Sequence, residues 1–507
     1  MNESRRVGEA RVWAALCRHI DGMAIGTTMA ALSSHGALRT LAAAERTAFG
    51  KLRAGLGANA GFLHVAIRLL ADQGWVGLAG EGGTDELVIT PTPPGRVVMT
   101  QPAGAYESLP HATVELAERD WGLPPAAAAG PGQSNSVSAE VRRQVLSHLN
   151  GHLIAPLMFA TTSRGFRQGC RDLTETATRI LALEGWARDG ELTPDGEIAL
   201  TMARQYRYPI VYLPLLRCVP ELIFGDPSRA LSRDQDAHLD RDLDLRFSGE
   251  VFAAMCRAPF LEMALPLFGA DPGAQPALVV DTGCGDGTLL ETLYAAVRER
   301  TARGRCLDEH PLLMVGVDPS PVARRTAAVR LAAAGVPHLI LDGDIADPDG
   351  LARELAAAGH DASNALHVCK SAIHDRAYRA PVAVDDRAPV TTTAFALPDG
   401  DAIPATQMAL NLADLFRAWR PLAARHGWIV IEAHSVPAPT AATLIGRTLA
   451  TALDATHGYS CQYPVEPEVY AWAARAAGFT SRAHREPAAE ALGHTLLTID
   501  HFMAQDG

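Results

Sequence analysis

Apolar side chains recur every three or four positions in the first part of the chain, with Leu63, Ile67 and Leu70 on one helical face. The pattern breaks at Gly74-Trp75-Val76 and passes into the turn-rich stretch LVITPTPPGRVV, which predicts a short hairpin. The same order returns later as Ile180, Leu183, Gly185-Trp186-Ala187 and LTPDGEIAL from Leu192. The two Gly-Trp pairs stand 111 residues apart, each followed by a Thr-Pro and a glycine that opens another apolar segment. This repeat predicts two winged-helix-like units, 1–122 and 138–240, joined by a Pro/Ala/Gly-rich linker at 123–137.

From about residue 276 the period changes to strand–helix alternation. Apolar runs at ALVVD, LMVGVD, HLILDGD, ALHVCKS, WIVIEAHS and HTLLTIDHF are the predicted strands. They predict a doubly wound, Rossmann-like α/β sheet with an antiparallel C-terminal strand over 241–507. TARGRCLDEHPL (301–312) reads as an insertion in the first crossover, and the charged run 233–246 as a solvated connector.

Composition narrows the function. The net charge is −12, with 45 basic and 57 acidic residues, which argues against wrapping nucleic acid or anionic lipid. The helix read from AGFLHVAIRLLADQG is mostly apolar, so the repeats are expected to pack or dimerise rather than read DNA. No signal peptide is expected, and no stretch is expected to reach membrane-spanning length. Eight cysteines scattered without CxxC spacing read as reduced thiols of a cytoplasmic protein.

The chemistry concentrates in LVVDTGCGDGT (278–288), where an apolar strand runs into Asp281 and then Gly283, Gly285 and Gly287. Glycines there let the backbone pass close to a ligand and turn into a helix whose N-terminus attracts negative charge. An acid ahead of the first glycine resembles the first motif of class I S-adenosylmethionine (SAM) methyltransferases rather than a nicotinamide fingerprint. Asp281 with Gly283 and Gly285 is expected at the methionine part, Asp318 at the ribose and Asp344 near the adenine amine. Asp281 and Asp318 are 37 residues apart, against about 20 in an ordinary nucleotide-binding unit.

A second constellation is His374-Asp375-Arg376 after strand four, with His434 closing strand five. Two imidazoles and a carboxylate suit the facial arrangement of mononuclear iron, with Glu432 as a supporting partner. The other reading makes His374 a general base, Asp375 a cap and His434 an ordinary buried polar residue. His367 reads as a packing histidine.

Taken together, DTGCGDGTLLETLY, RGRCLDEHPLLMVGVDPSPVA, LDGDIADPDGL, LHVCKSAIHDR and HGWIVIEAHSV resemble the C-methyltransferase domains of apratoxin-type polyketide loading modules. The His-Asp pair with a later His is also similar to iron-dependent phenylpyruvate C-methyltransferases. The resemblance covers roughly 240–505 and implies SAM, Fe(II) or Mn(II) on His374, Asp375 and His434, and enolate stabilisation by the metal. Its departure is CKSAI, where an aromatic and acidic lead-in is expected before HDR. The acceptor implied is a keto acid, free or carrier-bound. Arg376 is a candidate fork for a substrate carboxylate, and His457 and Tyr459 are candidates for base or lid. A homodimer through the N-terminal helices is expected. A metal-free O-methyltransferase with His374 as base, and a SAM-binding regulator on DNA, are the competing readings.

Overall fold

The structure is a computed structural model that describes residues 3–100, 103–123, 133–162, 175–231, 239–269, 271–382 and 384–505. Its chain parts into two compact units. One comprises Met1–Asp240, Thr392–Ala405 and Pro437–Cys461; the other comprises Arg241–Thr391, Thr406–Val436 and Gln462–Gly507.

The second unit is built on a seven-stranded sheet of β1 (Leu278–Thr282), β2 (Leu313–Val317), β3 (His338–Leu341), β4 (Ala365–Lys370), β5 (Trp428–Ala433), β6 (Phe479–Arg485) and β7 (Leu497–Ala504). The spatial order is β6-β7-β5-β4-β1-β2-β3. β1 to β5 are parallel, and β7 runs antiparallel to both β5 and β6. β1, β4 and β5 read as continuous apolar runs because they are covered on both faces. Leu366 and Val368 of β4 and Ile429 and Ile431 of β5 pack with helix α1 (Thr288–Arg300) and with Phe252, Phe260 and Phe268. Chain order reverses between β1 and β4, the place where such sheets bind ligands. The 301–312 insertion is a short turn pinned by Arg303, which donates to the carbonyls of His310 (2.6 Å) and Pro311 (2.9 Å).

The charged run 233–246 differs from its expectation. Residues 232–238 lie outside the described residues, but Arg241 onward is helical over Arg241–Val251, with Leu245 buried and Arg241 paired to Asp244 at 3.1 Å. Arg241 and Asp244 lie on a half-buried helix face, and Asp242 and Arg246 are exposed. The helical run Arg241–Phe268 also meets the length and apolarity of a membrane span, counter to expectation. Its later aromatic residues Phe252, Phe260 and Phe268 lie in the sheet's core. Of the expected linker, 124–132 lie outside the described residues, and from Gln133 the chain is already helical.

In the first unit the Gly-Trp repeat is reproduced bond for bond. Thr92 donates its hydroxyl to the carbonyl of Gly74 (2.7 Å) and accepts from the amide of Gly95; Thr193 does the same with Gly185 (2.9 Å) and Gly196. A Cβ on Gly95 would lie 1.8 Å from the Trp75 carbonyl oxygen, and one on Gly196 2.0 Å from that of Trp186, so both positions require glycine. The hairpins are short: Val76–Ala79 pairs with Val88–Pro91, and Ala187–Arg188 with Glu191–Leu192.

The two long helices Glu3–Ser34 and Gln133–Thr161 join the copies reciprocally. His19 of the first bonds the hydroxyl of Tyr206 (2.7 Å) and packs edge-on against Trp186; His148 of the second bonds that of Tyr106 (2.9 Å) and packs against Trp75. The helices cross backbone to backbone. A Cβ on Gly22 would stand 2.3 Å from Cα of His148, and one on Gly151 2.8 Å from Cα of His19. Each copy is therefore completed by a histidine and a glycine of the other.

Candidate active site

β1 delivers Asp281, buried at the reversal point, and the glycine turn follows with φ of 80°, 54° and 78° at residues 283, 285 and 287. A side chain on Gly283 would come within 2.8 Å of Cβ of Ala372, so the loop after β4 closes on the turn. Asp318, just beyond β2, accepts from the amides of Gly285 (3.0 Å) and Ser320 (2.9 Å). Asp286 is engaged otherwise, capping Thr288 and pairing with Arg330 at 2.8 Å.

Asp281 is less satisfied. Oδ1 of Asp281 and the hydroxyl of Thr282 have no hydrogen-bond partner among the described residues. Burial first, and the charge of Asp318 second, push the Asp281 carboxyl up to about 8. Burial likewise raises Asp318 to about 6 against its two amide donors. The orphaned oxygen of a buried acid is an acceptor position able to take a donor or a cation. An ammonium group is such a donor. Asp344, beyond β3, accepts from the amide of Ala346 (2.8 Å) in a turn.

The His374, Asp375 and His434 triad does not assemble. Both ring nitrogens of His434 are engaged, Nε2 with the Thr498 hydroxyl (2.8 Å) and Nδ1 with the Val465 carbonyl (3.3 Å). Its ring is fully buried against Tyr470. Asp375 accepts from Gln462 at 3.1 Å. Among the described residues no three His, Cys, Asp or Glu side chains are grouped to hold a metal ion. The physical reason is the end of β5 at Ala433: strand alternation no longer governs His434, which turns toward β7. Fe(II) or Mn(II) at these three residues is therefore not supported.

What assembles instead is a pair. His374 Nδ1 faces Glu432 Oε1, and Glu432 also accepts from the amides of Ile373 (3.1 Å) and Ala433 (3.1 Å). Burial works to raise the Glu432 carboxyl, but His374, its hydrogen bond and the charge of His434 outweigh it and hold the group below its ordinary range. An ionised Glu432 fixes the tautomer with the proton on Nδ1 of His374, so Nε2 carries the lone pair. The sequence reading had Glu432 only as support for a metal.

Arg376 is committed inside the fold. It donates to Asn411 (2.8 Å) and to the carbonyls of Ile373 (2.9 Å) and Tyr463 (3.2 Å), and stacks over the Tyr463 ring. That leaves no open fork for a substrate carboxylate, in contrast to its expected role. His457 and Tyr459 lie on the helix Ala450–Tyr459 of the first unit. The Tyr459 hydroxyl bonds Thr28 (2.9 Å), and His457 Nδ1 contacts the Leu453 carbonyl (2.7 Å), as packing residues do. His367 is the expected core histidine, edge-on to Trp419. One residue escaped the sequence reading altogether: Lys370, closing β4, donates to Ser248 at 2.8 Å.

No curated protein matches the chain. An O-methyltransferase family 2 protein from Planctomyces limnophilus, solved with apigenin, is similar in structure with a TM-score of 0.39 at 12% identity, covering 96% of this chain and 95% of its own. The CMeT domain of the citrinin polyketide synthase gives a TM-score of 0.37 at 11% identity over 69% of this chain and 79% of its own. The CurJ carbon methyltransferase gives 0.34 at 13% over 69% and 91%. Residues 13–77 match the AprA N-terminal domain family, and residues 236–495, over half of the chain, match the AprA MT2-like domain family. With that match on this sheet and this glycine turn, the chain belongs to the AprA MT2-like family and is a SAM-dependent methyltransferase.

Proposed function

We propose that this enzyme methylates carbon, taking a proton from a position beside a carbonyl with His374 as general base and Glu432 as its orienting partner. The observation that carries the reading is the His374–Glu432 pair at the adjoining ends of β4 and β5. A C–H beside a keto group, and flanked on its other side by a thioester or an aryl ring, is acidic enough for an imidazole to deprotonate. Nε2 of His374 would accept that proton. Glu432, held ionised by two amides and the ring, would stabilise the imidazolium that forms. Bound SAM supplies a methyl group on a sulfonium, ready for attack by the enolate carbon.

Asp281 and the backbone of Gly283 and Gly285 would hold the methionine end, and Asp318 the ribose hydroxyls. Burial of the pair excludes water from the base; His374 is 5% exposed and Glu432 2%. The acceptor class, a keto acid or a carrier-bound acyl thioester, rests on the resemblance to polyketide loading-module domains. Incubating the enzyme with SAM and either acetoacetyl-pantetheine or phenylpyruvate, followed by mass and NMR analysis, tests it. A new C–CH3 group is expected; a methyl ether or enol ether would replace this reading by O-methylation with the same base.

A further inference from the structure

We propose that Lys370 is a positioning residue that fastens the helix Arg241–Val251 over the cofactor turn and thereby sets the affinity for SAM; this rests on the turn at 281–287 being the SAM site. Apart from the core histidine His367, the rest of β4 is apolar and buried, so a lysine at its last position is out of keeping with the strand. Its side chain shares the face of Leu366 and Val368, and Nζ reaches Ser248 on the helix at 2.8 Å. Cys256, Asp244, Glu432 and Asp281 surround it, and burial lowers its basicity.

The helix meets the cofactor turn along one stripe, Arg241, Asp244, Leu245, Ser248 and Gly249, at the spacing of a single helical face. Leu245 lies 3.6 Å from where a side chain on Gly285 would begin. Gly249 sits so near that a Cβ would be 3.0 Å from Asp286 and 3.1 Å from Thr288. The charge of Arg241 acts on Asp318. Exposed Asp242, Arg246 and Glu250 occupy the opposite face. The helix therefore roofs the turn that holds SAM, and the Lys370–Ser248 bond ties that roof to the carboxyl edge of the sheet. A π-helical turn at Phe252–Cys256 follows, where the run passes from roof to core.

The test uses the full-length protein with Lys370→Met, Lys370→Arg and Ser248→Ala. Calorimetric titration with SAM should show K370M weakening Kd by about tenfold or more, the scale of one lost charge-assisted hydrogen bond. K370R should recover part of that affinity, and S248A should weaken it less. Hydrogen exchange of the 241–251 amides should quicken in ligand-free K370M, with KM for SAM rising and kcat changing little. Wild-type affinity and exchange in K370M would overturn the proposal, as would a collapse of kcat at unchanged Kd. Should K370M fail to fold, S248A carries the same readouts, and an unaltered Kd there overturns it. Failure of the wild type itself to bind SAM would fault the site, not the latch.

Discussion

His374, in the loop after β4, and Glu432, near the end of the neighbouring parallel strand β5, stand ring nitrogen to carboxylate oxygen, both buried, with two backbone amides donating to the carboxylate. Such a pair loses its function in steps. His374→Ala should lower kcat by about 10³, within the range of a lost general base. Glu432→Gln should keep the fold but lower kcat by about 10², since it leaves the ring without a fixed tautomer. Steady-state kinetics on folded variants checks both; a Glu432→Gln enzyme at wild-type rate would demote the carboxylate to packing.

Because His434 spends both ring nitrogens on Thr498 and Val465, it should matter to stability and not to metal content. Prolonged treatment with a chelator is expected to leave the methylation rate unchanged. Loss of activity restored by ferrous or manganous ion would reinstate the triad. Thr498→Val should cost about 1–3 kcal/mol by leaving a buried nitrogen unpaired, readable in urea unfolding.

Asp281 and Asp21 are both held up to about 8, in each case by burial first. Unfolded, such groups ionise near 3.8. Between those values the folded chain keeps protons the unfolded chain has lost, so stability falls as pH rises. Buried His64 and His148, lowered to about 3 by burial, act the other way, but only below about 6.5. From pH 6.5 to 8 those histidines no longer oppose these acids, each of which acts by up to about 1.4 kcal/mol per pH unit. The ligand-free Tm should therefore drop across that window, and Asp281→Asn should flatten part of the slope.

Cation binding at the same carboxylate implies a proton count. At pH 7, SAM should displace close to one proton from Asp281, seen as a dependence of calorimetric heat on buffer ionisation enthalpy. Asp281→Asn should remove that dependence. Equal heats in all buffers with the wild type would separate Asp281 from the ligand.

The duplicated unit predicts matched injuries. Gly22→Ala and Gly151→Ala each drive a methyl group into the backbone of the partner helix and should cost about 3 kcal/mol. His19→Ala and His148→Ala should both lower Tm, since each removes one tyrosine bond and one tryptophan contact, and His19→Ala the more because it also removes the contact with Glu184 at 3.1 Å. An unchanged Tm in either variant would mean that its histidine does not join the copies.

The glycine turn and the β1–β5 alternation were readable in the sequence because both are local: positive φ calls for glycine, and βαβ period shows in any window. The pairing of His374 with Glu432 was harder, since alternation along WIVIEAHS puts Glu432 and His434 on one face until the strand stops at Ala433. Lys370 left one signal, a lone charge in LHVCKS, at the place where strands commonly turn polar. The reciprocal helix crossing hides in His19-Ile20-Asp21-Gly22 and His148-Leu149-Asn150-Gly151, whose offset of 129 differs from the 111 of the Gly-Trp pairs. A search at one fixed period passes over it. Arg376 misled because charge in a site suggests ligand, whereas its donors here satisfy inward-facing carbonyls.

The most direct test follows the α-hydrogen without methyl transfer. Wild-type enzyme holding S-adenosylhomocysteine in place of SAM should exchange the α-hydrogens of an acetoacetyl thioester for deuterium in heavy water faster than the uncatalysed rate, and His374→Ala should not. Acceleration that survives loss of His374, or wild-type exchange no faster than background while methyl transfer to oxygen proceeds, would contradict carbon methylation by this base.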